Sequence, residues 1–189
     1  MRSTALLSRS MILCTLALAL GACKKQSTAP PVTGAAALAT NADQIMFGAK
    51  FNLTTSGVST AYLIADTALF FDDNTRVELE RVNTIFYTKT GARDAMLTSR
   101  RGTYSTPTGM MVARGDVHVV AEDGRDLRTE ELKYDQSRNQ VSSDSAFVLV
   151  DSARRRVEGV GFRSDPNLKN IQILKLLSGT TGAMTLPGQ

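Results

Sequence analysis

The sequence is poor in the residue types that build most catalytic and metal sites. Its 189 residues include one histidine, His118, two cysteines, Cys14 and Cys23, and no tryptophan. A lone histidine cannot form a catalytic triad without a positioned serine and aspartate. Strand alternation turns His118 away from Val117 and Val119, which predicts a surface position. We therefore expect no enzyme activity, no cofactor and no metal site.

The chain also lacks a strong charge of either sign. Its formal net charge is +4, and this falls to +2 without Arg2 and Arg9 of the N-terminal segment. Nucleic-acid-binding domains usually carry a basic face or stripe, and the nearest feature here is the short run Arg154-Arg155-Arg156. We expect no nucleic-acid partner.

The N-terminal segment contains the apolar run 11–20, which follows the two arginines. It is too short to cross a bilayer, which needs about 20 apolar residues, but it fits the apolar core of a secretory signal. The run ends in Leu20-Gly21-Ala22-Cys23, which resembles the bacterial lipobox, where the thiol accepts diacylglycerol. We predict that residues 1–22 are a lipoprotein signal peptide and that Cys23 is the lipidation site. The alternative is an ordinary signal peptide with a chance cysteine.

The rest of the chain divides by composition. Residues 24–44 are rich in Ala, Thr, Pro and Ser, which favours a flexible tether, so that 23–44 would form the anchor and tether. Residues 45–175 suffice for one domain with its own core. The Gly- and Thr-rich segment 176–189 is expected to be a flexible tail or, alternatively, to extend the C-terminal edge. With Cys23 acylated, no thiol remains for a disulfide.

From Ile45 onward the chain alternates extended runs with turn signals. No stretch keeps a helical apolar period over three turns, so roughly half the domain should be strand, with little helix. Asp-Gly, Asn and Pro clusters between β-branched runs indicate hairpins. The extended runs include 60–71, 76–89, 110–122, 140–150 and 170–174. The turns between them are 72–74, 90–91, 107–109, 123–124, 137–139 and 165–167.

The runs repeat at a fixed distance. Segment 97–105 aligns with 127–135 at a shift of 30 residues, and a second shift of 30 reaches 157–165. At the same offset, Val117 falls on Phe147. Repeats of this length indicate stacked supersecondary units, here two strands and two turns per unit. They predict a two-sheet stack, as in a jelly roll or a related solenoid.

The most distinctive part of the repeat is 97–135, which contains Gly115-Asp116-Val117-His118-Val119. Upstream lie Asp43-Gln44-Ile45-Met46-Phe47-Gly48 and the segment 65–70. Over roughly residues 42–173 the chain resembles the LptC family, the periplasmic component of the lipopolysaccharide exporter. Sister proteins of the same transport bridge share the strand repeat.

The resemblance implies an all-β fold, a twisted β-jelly roll of repeated antiparallel strand pairs with little or no helix outside the signal peptide. It implies that lipopolysaccharide is accepted from an inner-membrane ABC transporter into an apolar groove. The cargo would then pass to a periplasmic bridge protein of the same fold (LptA-like), with contacts made by strand addition at the two ends.

The anchor departs from the family pattern. Many members keep an N-terminal transmembrane helix, whereas this chain has a lipobox, and Lys24 rather than Asp follows the cysteine. The membrane of the anchor is therefore open, although the family role predicts the periplasmic face of the inner membrane. The alternative function is a β-repeat scaffolding lipoprotein of the envelope with no lipid cargo.

Strand alternation, together with the positions of aromatic residues and glycine in the repeat, selects the candidate functional residues. For the partner edges the candidates are Gly159, Ile171 and Ile173; Gly159 is either a turn or bulge position or a point of close approach by a partner strand. The inward positions expected to line the lipid groove are Val77, Leu79, Val117, Val119, Leu132, Tyr134, Phe147, Leu149 and Phe162.

Overall fold

The computed structural model describes residues 41–179, and this part of the chain contains nine β-strands and no helix. The predicted signal peptide, Cys23 and most of the tether lie outside the described residues, as do residues 180–189. The all-β prediction is confirmed, and strands occupy well over half of the described part. The strands are β1 (Gln44–Thr55), β2 (Val58–Phe71), β3 (Arg76–Tyr87), β4 (Arg93–Ser105), β5 (Met110–Ala121), β6 (Asp126–Asp135), β7 (Gln140–Val150), β8 (Arg156–Ser164) and β9 (Gln172–Ser178).

All nine strands form one antiparallel sheet in chain order, with β1 and β9 at its edges. The six predicted turns are all turns between strands, and two further turns lie at 56–57 and 151–155. Strand β7 has the predicted bounds, whereas β9 continues to Ser178, into the segment expected to be a tail. The predicted extended runs do not cover four of the strands, β1, β4, β6 and β8. Three of these, β4, β6 and β8, contain the aligned copies of the repeat.

The strands bend near their middles. The pairing register shifts in mid-strand in four successive pairs, for example between Arg114 and Val117 of β5. At this point of β5, Gly115 and Asp116 have positive φ angles of 77° and 48°. In β3, Arg81 also has a positive φ angle, of 52°. A bulge with a left-handed residue bends a strand and increases its twist, and glycine adopts that conformation without a Cβ clash. Each long strand therefore changes direction where the bulges align.

The bends fold the sheet over on itself. The rings of Phe86 in β3 and Tyr134 in β6 are 4.9 Å apart between centroids, in a T-shaped contact. In a flat sheet, positions three strands apart would be separated by about 14 Å. The two halves of each bent strand therefore belong to opposite layers, and the side chains facing inward from both layers form the core. This is a β-jelly-roll arrangement.

The thirty-residue repeat appears in the core as equivalent buried positions. Leu97, Leu127 and Val157 each have 0 % exposure, and they lie on β4, β6 and β8. Phe147 and Val117, also one repeat apart, are both buried. One hydrophobic cluster runs through all nine strands. The repeat therefore builds a single continuous interior.

Candidate lipid-handling core, edges and seam

The nine predicted groove residues meet in the core. Each is exposed by 3 % or less, and all belong to the same hydrophobic cluster. Strand alternation thus identified the inward face correctly, while their role in lining a lipid groove stays a prediction. These residues are Val77, Leu79, Val117, Val119, Leu132, Tyr134, Phe147, Leu149 and Phe162.

An aromatic pair fills the C-terminal part of this core. The rings of Phe147 in β7 and Phe162 in β8 are 5.2 Å apart and nearly perpendicular. Gly159 leaves the space in which the Phe147 ring lies, because a Cβ at Gly159 would be 2.8 Å from that ring. The same Cβ would be 2.7 Å from the carbonyl oxygen of Lys175 in β9. Gly159 therefore permits close packing within the chain.

The three predicted edge residues do not share one location. Gly159 does not lie at an edge, because β8 is paired with β7 on one side and β9 on the other. Ile171 precedes β9, and its side chain is buried at 4 % exposure. Ile173 lies on the edge strand β9, but its side chain points into the core with 0 % exposure. Of the three, only Ile173 places its backbone in an edge strand.

Other residues give the two edges their apolar character. On β1 the side chains of Ile45, Met46 and Phe47 are exposed, Phe47 by 78 %. On β9 Leu174 and Leu177 are exposed, Leu177 by 56 %. Five of the six large hydrophobic residues exposed in the described range are thus on the edge strands. In the sequence, the only sign of the exposed apolar residues of β1 was the apolar stretch that begins at Ile45. Strand alternation alone did not assign this stretch to an edge of the sheet.

Ion pairs follow the outer side of the bends, which we call the crease. The Arg81 guanidinium is 2.5 Å from the Asp66 carboxylate, and Lys133 Nζ is 2.7 Å from Asp144. A further pair joins Arg100 and Asp116 across β4 and β5. These side chains are largely exposed, so solvent screens each pair and it contributes little to stability. They keep charged groups on the outside of the fold where its strands turn.

Opposite the crease, the free ends of the two layers meet along a line that we call the seam. Gln136, in the β6–β7 turn, donates from Nε2 to the Thr54 carbonyl oxygen at 2.6 Å, and Thr55 Oγ1 donates to the Gln136 carbonyl oxygen at 3.3 Å. Asn167, in the β8–β9 connection, donates from Nδ2 to the Asp94 carboxylate at 3.1 Å. Arg125 donates to the Asn167 carbonyl oxygen at 3.2 Å.

A cavity of about 680 Å³ lies at the seam, and Thr55, Gln136, Asp94 and Asn167 are among its lining residues. Tyr134 connects this cavity with the core. Its ring is buried, and its hydroxyl group donates to Asn139 Oδ1 at 3.1 Å, in the cavity wall. Burial raises the pKa of Tyr134 above its ordinary value.

His118, the lone histidine, faces outward as expected. Its Nε2 is 2.8 Å from a carboxylate oxygen of Asp126 on the neighbouring strand, and its side chain is 31 % exposed. The pair lies across β5 and β6 on the outer face, away from the core. It is a surface contact between strands.

The chain matches a protein-family model described as lipopolysaccharide-assembly, LptC-related, over residues 11–183. This protein belongs to the LptC family. No curated protein matches the chain significantly. The family match indicates a role in lipopolysaccharide transport. Members of this family are transport and binding components of the envelope and are exposed to the periplasm. Within residues 41–179, no helix has the length and apolar character to span a bilayer.

Proposed function

We propose that this LptC-family protein is the lipid-anchored component that accepts lipopolysaccharide from an inner-membrane ABC transporter. It holds the acyl chains between the two layers of the jelly roll and passes them to a periplasmic bridge protein of the same fold. The observation that supports this most directly is the continuous apolar interior, which extends from β1 to β9.

The interior has the chemistry that acyl chains require. Its lining consists mainly of aliphatic and aromatic side chains, with a few buried Thr and Ser residues. Transfer of apolar surface from water to such surroundings gains about 25 cal/mol per Å². The core is closed in this structure, since the nine groove residues are at most 3 % exposed. Loading therefore replaces contacts between side chains with contacts to cargo, which limits the net affinity and suits a protein that must also release its ligand.

The two edges support hand-over by strand addition. An edge strand presents unpaired backbone N–H and C=O groups to another chain. Both edges here add exposed apolar side chains, Phe47 on β1 and Leu177 on β9. One edge would receive cargo from the transporter and the other would extend the interior into the bridge protein.

The anchor is proposed to be the acylated Cys23. Residues 24–43 would then separate the membrane from β1, which begins at Gln44. Two or three acyl chains hold a protein firmly on a bilayer, whereas a single chain is marginal. Cys23→Ser behind an ordinary cleavable signal should release the protein into the soluble periplasmic fraction and leave lipopolysaccharide binding intact. A variant that stays in the membrane fraction would contradict the proposed anchor.

Photocrosslinking in living cells tests the cargo assignment. A photoreactive residue at Val119 or Phe147 faces the core, while Val120 and Val148 lie next to them on the outer face of the same strands. We expect adducts with lipopolysaccharide from the inward pair and none from the outward pair. Equal capture, or no capture at either pair, would contradict the cargo assignment.

The scaffolding alternative shares the exposed edges and differs in the interior. The closed core favours the scaffolding alternative, because no space for cargo is preformed between the two layers. It predicts that Leu177→Ser weakens partner binding while no inward position captures lipid. The proposed function predicts both effects together, so the two experiments distinguish the candidates.

A further inference from the structure

The inward side chains of each layer form rows that cross the sheet from strand to strand, and one of these rows contains a single polar residue. Thr84 of β3 lies opposite Leu63 of β2 and Leu97 of β4. The row continues as far as β8, and every other member of it is apolar. From β1 to β8 its members are Phe51, Leu63, Thr84, Leu97, Val119, Leu127, Leu149 and Val157.

The hydroxyl group of Thr84 has no hydrogen-bond partner. Thr84 is 0 % exposed, and its Oγ1 atom is neither a donor nor an acceptor in any hydrogen bond. The other buried polar residues within residues 41–179 are all hydrogen-bonded and lie at bends or strand ends. They are Ser99, Thr129, Ser143, Asp151 and Ser164. Thr84 instead lies where β3 is regularly paired on both sides, so no free backbone group is near it.

An unpaired hydroxyl group inside an apolar core lowers the stability of the fold. Valine has the same branched shape as threonine and would fill the position without this penalty. The other unpartnered atom in the described part of the chain, Asn83 Oδ1, belongs to a partly exposed side chain on the outer face of β3. The packing of the empty protein therefore gives no reason for a hydroxyl group at Thr84, and the group is available to a molecule that enters the interior.

The depth of Thr84 indicates which part of a lipid it would meet. It lies three residues from Arg81, at the bend of β3, and three residues from Tyr87, where the strand ends. At about 3.3 Å per residue it is about 10 Å from either point. A polar head group stays near water, so a group that reaches this depth belongs to an acyl chain. Val119, a proposed groove residue, lies in the same row two strands away.

The chemistry of a threonine hydroxyl group selects one kind of chain. This group donates one hydrogen bond and accepts others, as does a hydroxyl substituent on an acyl chain. Ester and amide carbonyl groups only accept, and they join the chain to its head group, which keeps them nearer the surface. A hydroxyl substituent that entered an interior without a partner would lose its bonds to water. Because Oγ1 of Thr84 is unpaired in the empty protein, a bond to cargo replaces no bond within the protein.

We propose that Thr84 is a specificity-determining residue of the interior and forms a hydrogen bond with a hydroxyl substituent on an acyl chain of the cargo. This inference rests on the proposed function and adds to it the class of acyl chain that the interior prefers. The lower stability of the empty protein is the physical consequence of keeping this group unpaired until cargo enters.

Competition between two fatty acids tests the preference. The purified full-length protein carries a photoreactive residue at Phe147 and captures lipopolysaccharide in the presence of tetradecanoic acid or of its β-hydroxy derivative. Thr84→Val removes the hydroxyl group and keeps the shape, whereas Thr84→Ser keeps the hydroxyl group. The matched control is Thr98→Val, which lies next to Leu97 on the partly exposed outer face of β4.

We expect the β-hydroxy acid to inhibit capture at a concentration about tenfold lower than the unsubstituted acid, which corresponds to one hydrogen bond in an apolar site. Thr84→Val should reduce this ratio to about one, while Thr84→Ser and Thr98→Val should keep it within about threefold of the unsubstituted residue. Without lipid, Thr84→Val should melt about 2–8 °C higher than the wild type, because it removes the unpaired hydroxyl group. Thr98→Val should melt within about 2 °C of the wild type.

Equal inhibition by the two acids in the wild type, inhibition by neither acid, or a preference that survives in Thr84→Val would overturn the role of Thr84. Each of these results leaves the proposed function standing as long as lipopolysaccharide is captured. A melting temperature of Thr84→Val no higher than that of the wild type would also overturn the inference, because the hydroxyl group would then have a partner in the empty protein. Absence of lipopolysaccharide capture in the wild type and in all variants, without competitor, would overturn the proposed function and the inference with it.

Discussion

Adding one methyl group at Gly159 tests the close packing of the C-terminal strands. A Cβ built there would lie 2.7 Å from the Lys175 carbonyl oxygen and 2.8 Å from the Phe147 ring. Carbon atoms in contact prefer separations of about 3.5–4.0 Å, so the ring must move by about 0.7 Å or more. The other close atom is backbone, so rotation of a side chain cannot relieve that contact. Gly159→Ala should therefore push β9 away from β8 and displace the ring.

The magnitude follows from two opposing effects. Overpacking a well-packed core costs about 1–3 kcal/mol. Replacing glycine with alanine also lowers the entropy of the unfolded chain, which offsets about 0.4–1 kcal/mol. We expect a net loss of about 1–2 kcal/mol in the free energy of unfolding. For a domain of this size the melting temperature should fall by about 2–8 °C.

Urea unfolding of Gly159→Ala and of Gly102→Ala provides a matched comparison. A Cβ at Gly102 would be 3.0 Å from Cγ2 of Val82, a side-chain atom that can shift. Gly102→Ala should stay within about 0.5 kcal/mol of the wild type. If Gly159→Ala is as stable as Gly102→Ala, the close packing of β8, β9 and Phe147 described above is incorrect.

Three further predictions test the core and its polar groups. Burial raises the pKa of Tyr134 above 10.0. The stability that its neutral hydroxyl group contributes is therefore complete below pH 10.0 and is lost as the pH rises further. Tyr134→Phe should lessen this alkaline fall in the free energy of unfolding. Burial alone would raise the pKa of Asp151, but hydrogen bonds from the backbone and guanidinium of Arg155 lower it below 3.8. The charged carboxylate therefore stabilises the fold, and this stability is lost as the pH falls through that pKa. Asp151→Asn should lessen the loss of stability on acidification. Phe162→Ala should cost about 3–5 kcal/mol, whereas Phe47→Ala, at an exposed edge, should change stability by about 0.5 kcal/mol or less.

Denaturant unfolding as a function of pH checks the first two, and unfolding at neutral pH checks the third. Unchanged alkaline behaviour of Tyr134→Phe would show that its hydroxyl group is solvated in the folded protein. Asp151→Asn with the acid profile of the wild type would mean that this carboxylate keeps its ordinary pKa. Equal losses for Phe162→Ala and Phe47→Ala would contradict the assignment of the interior.

Much of the interior could be predicted from the sequence because its signals are local. Successive side chains on a strand point to opposite faces, so alternation around Val117 identified inward positions directly, and the repeat extended them to Phe147, whose strand is apolar on both faces. The turn residues at 107–109 and 137–139 separate strands in the structure as predicted. The repeat of 30 residues predicts equivalent positions for Leu97 and Leu127, and both are buried in the structure.

Strands β4, β6 and β8 were harder to delimit because the alternation breaks at their bends. At the bend of β4 the nearest buried positions are Ser99 and Gly102, and two exposed arginines, Arg100 and Arg101, stand side by side between them. In β6 the carboxylates of Glu130 and Glu131 occupy the equivalent place. A run of adjacent charges indicates a loop when sequence is considered alone. In the fold these side chains reach solvent at the crease.

The sequence by itself determined the strand period, the turns, the repeat and the family resemblance, because each depends on residues close together in the chain. Its N-terminal pattern also predicts lipidation at Cys23. The tertiary structure decided which strands are edges, why Gly159 must lack a side chain, and where the two layers meet. These depend on distant residues, as in the bond from Gln136 to Thr54, 82 positions apart. No local pattern encodes such a contact, since it exists only once the bent sheet has folded over.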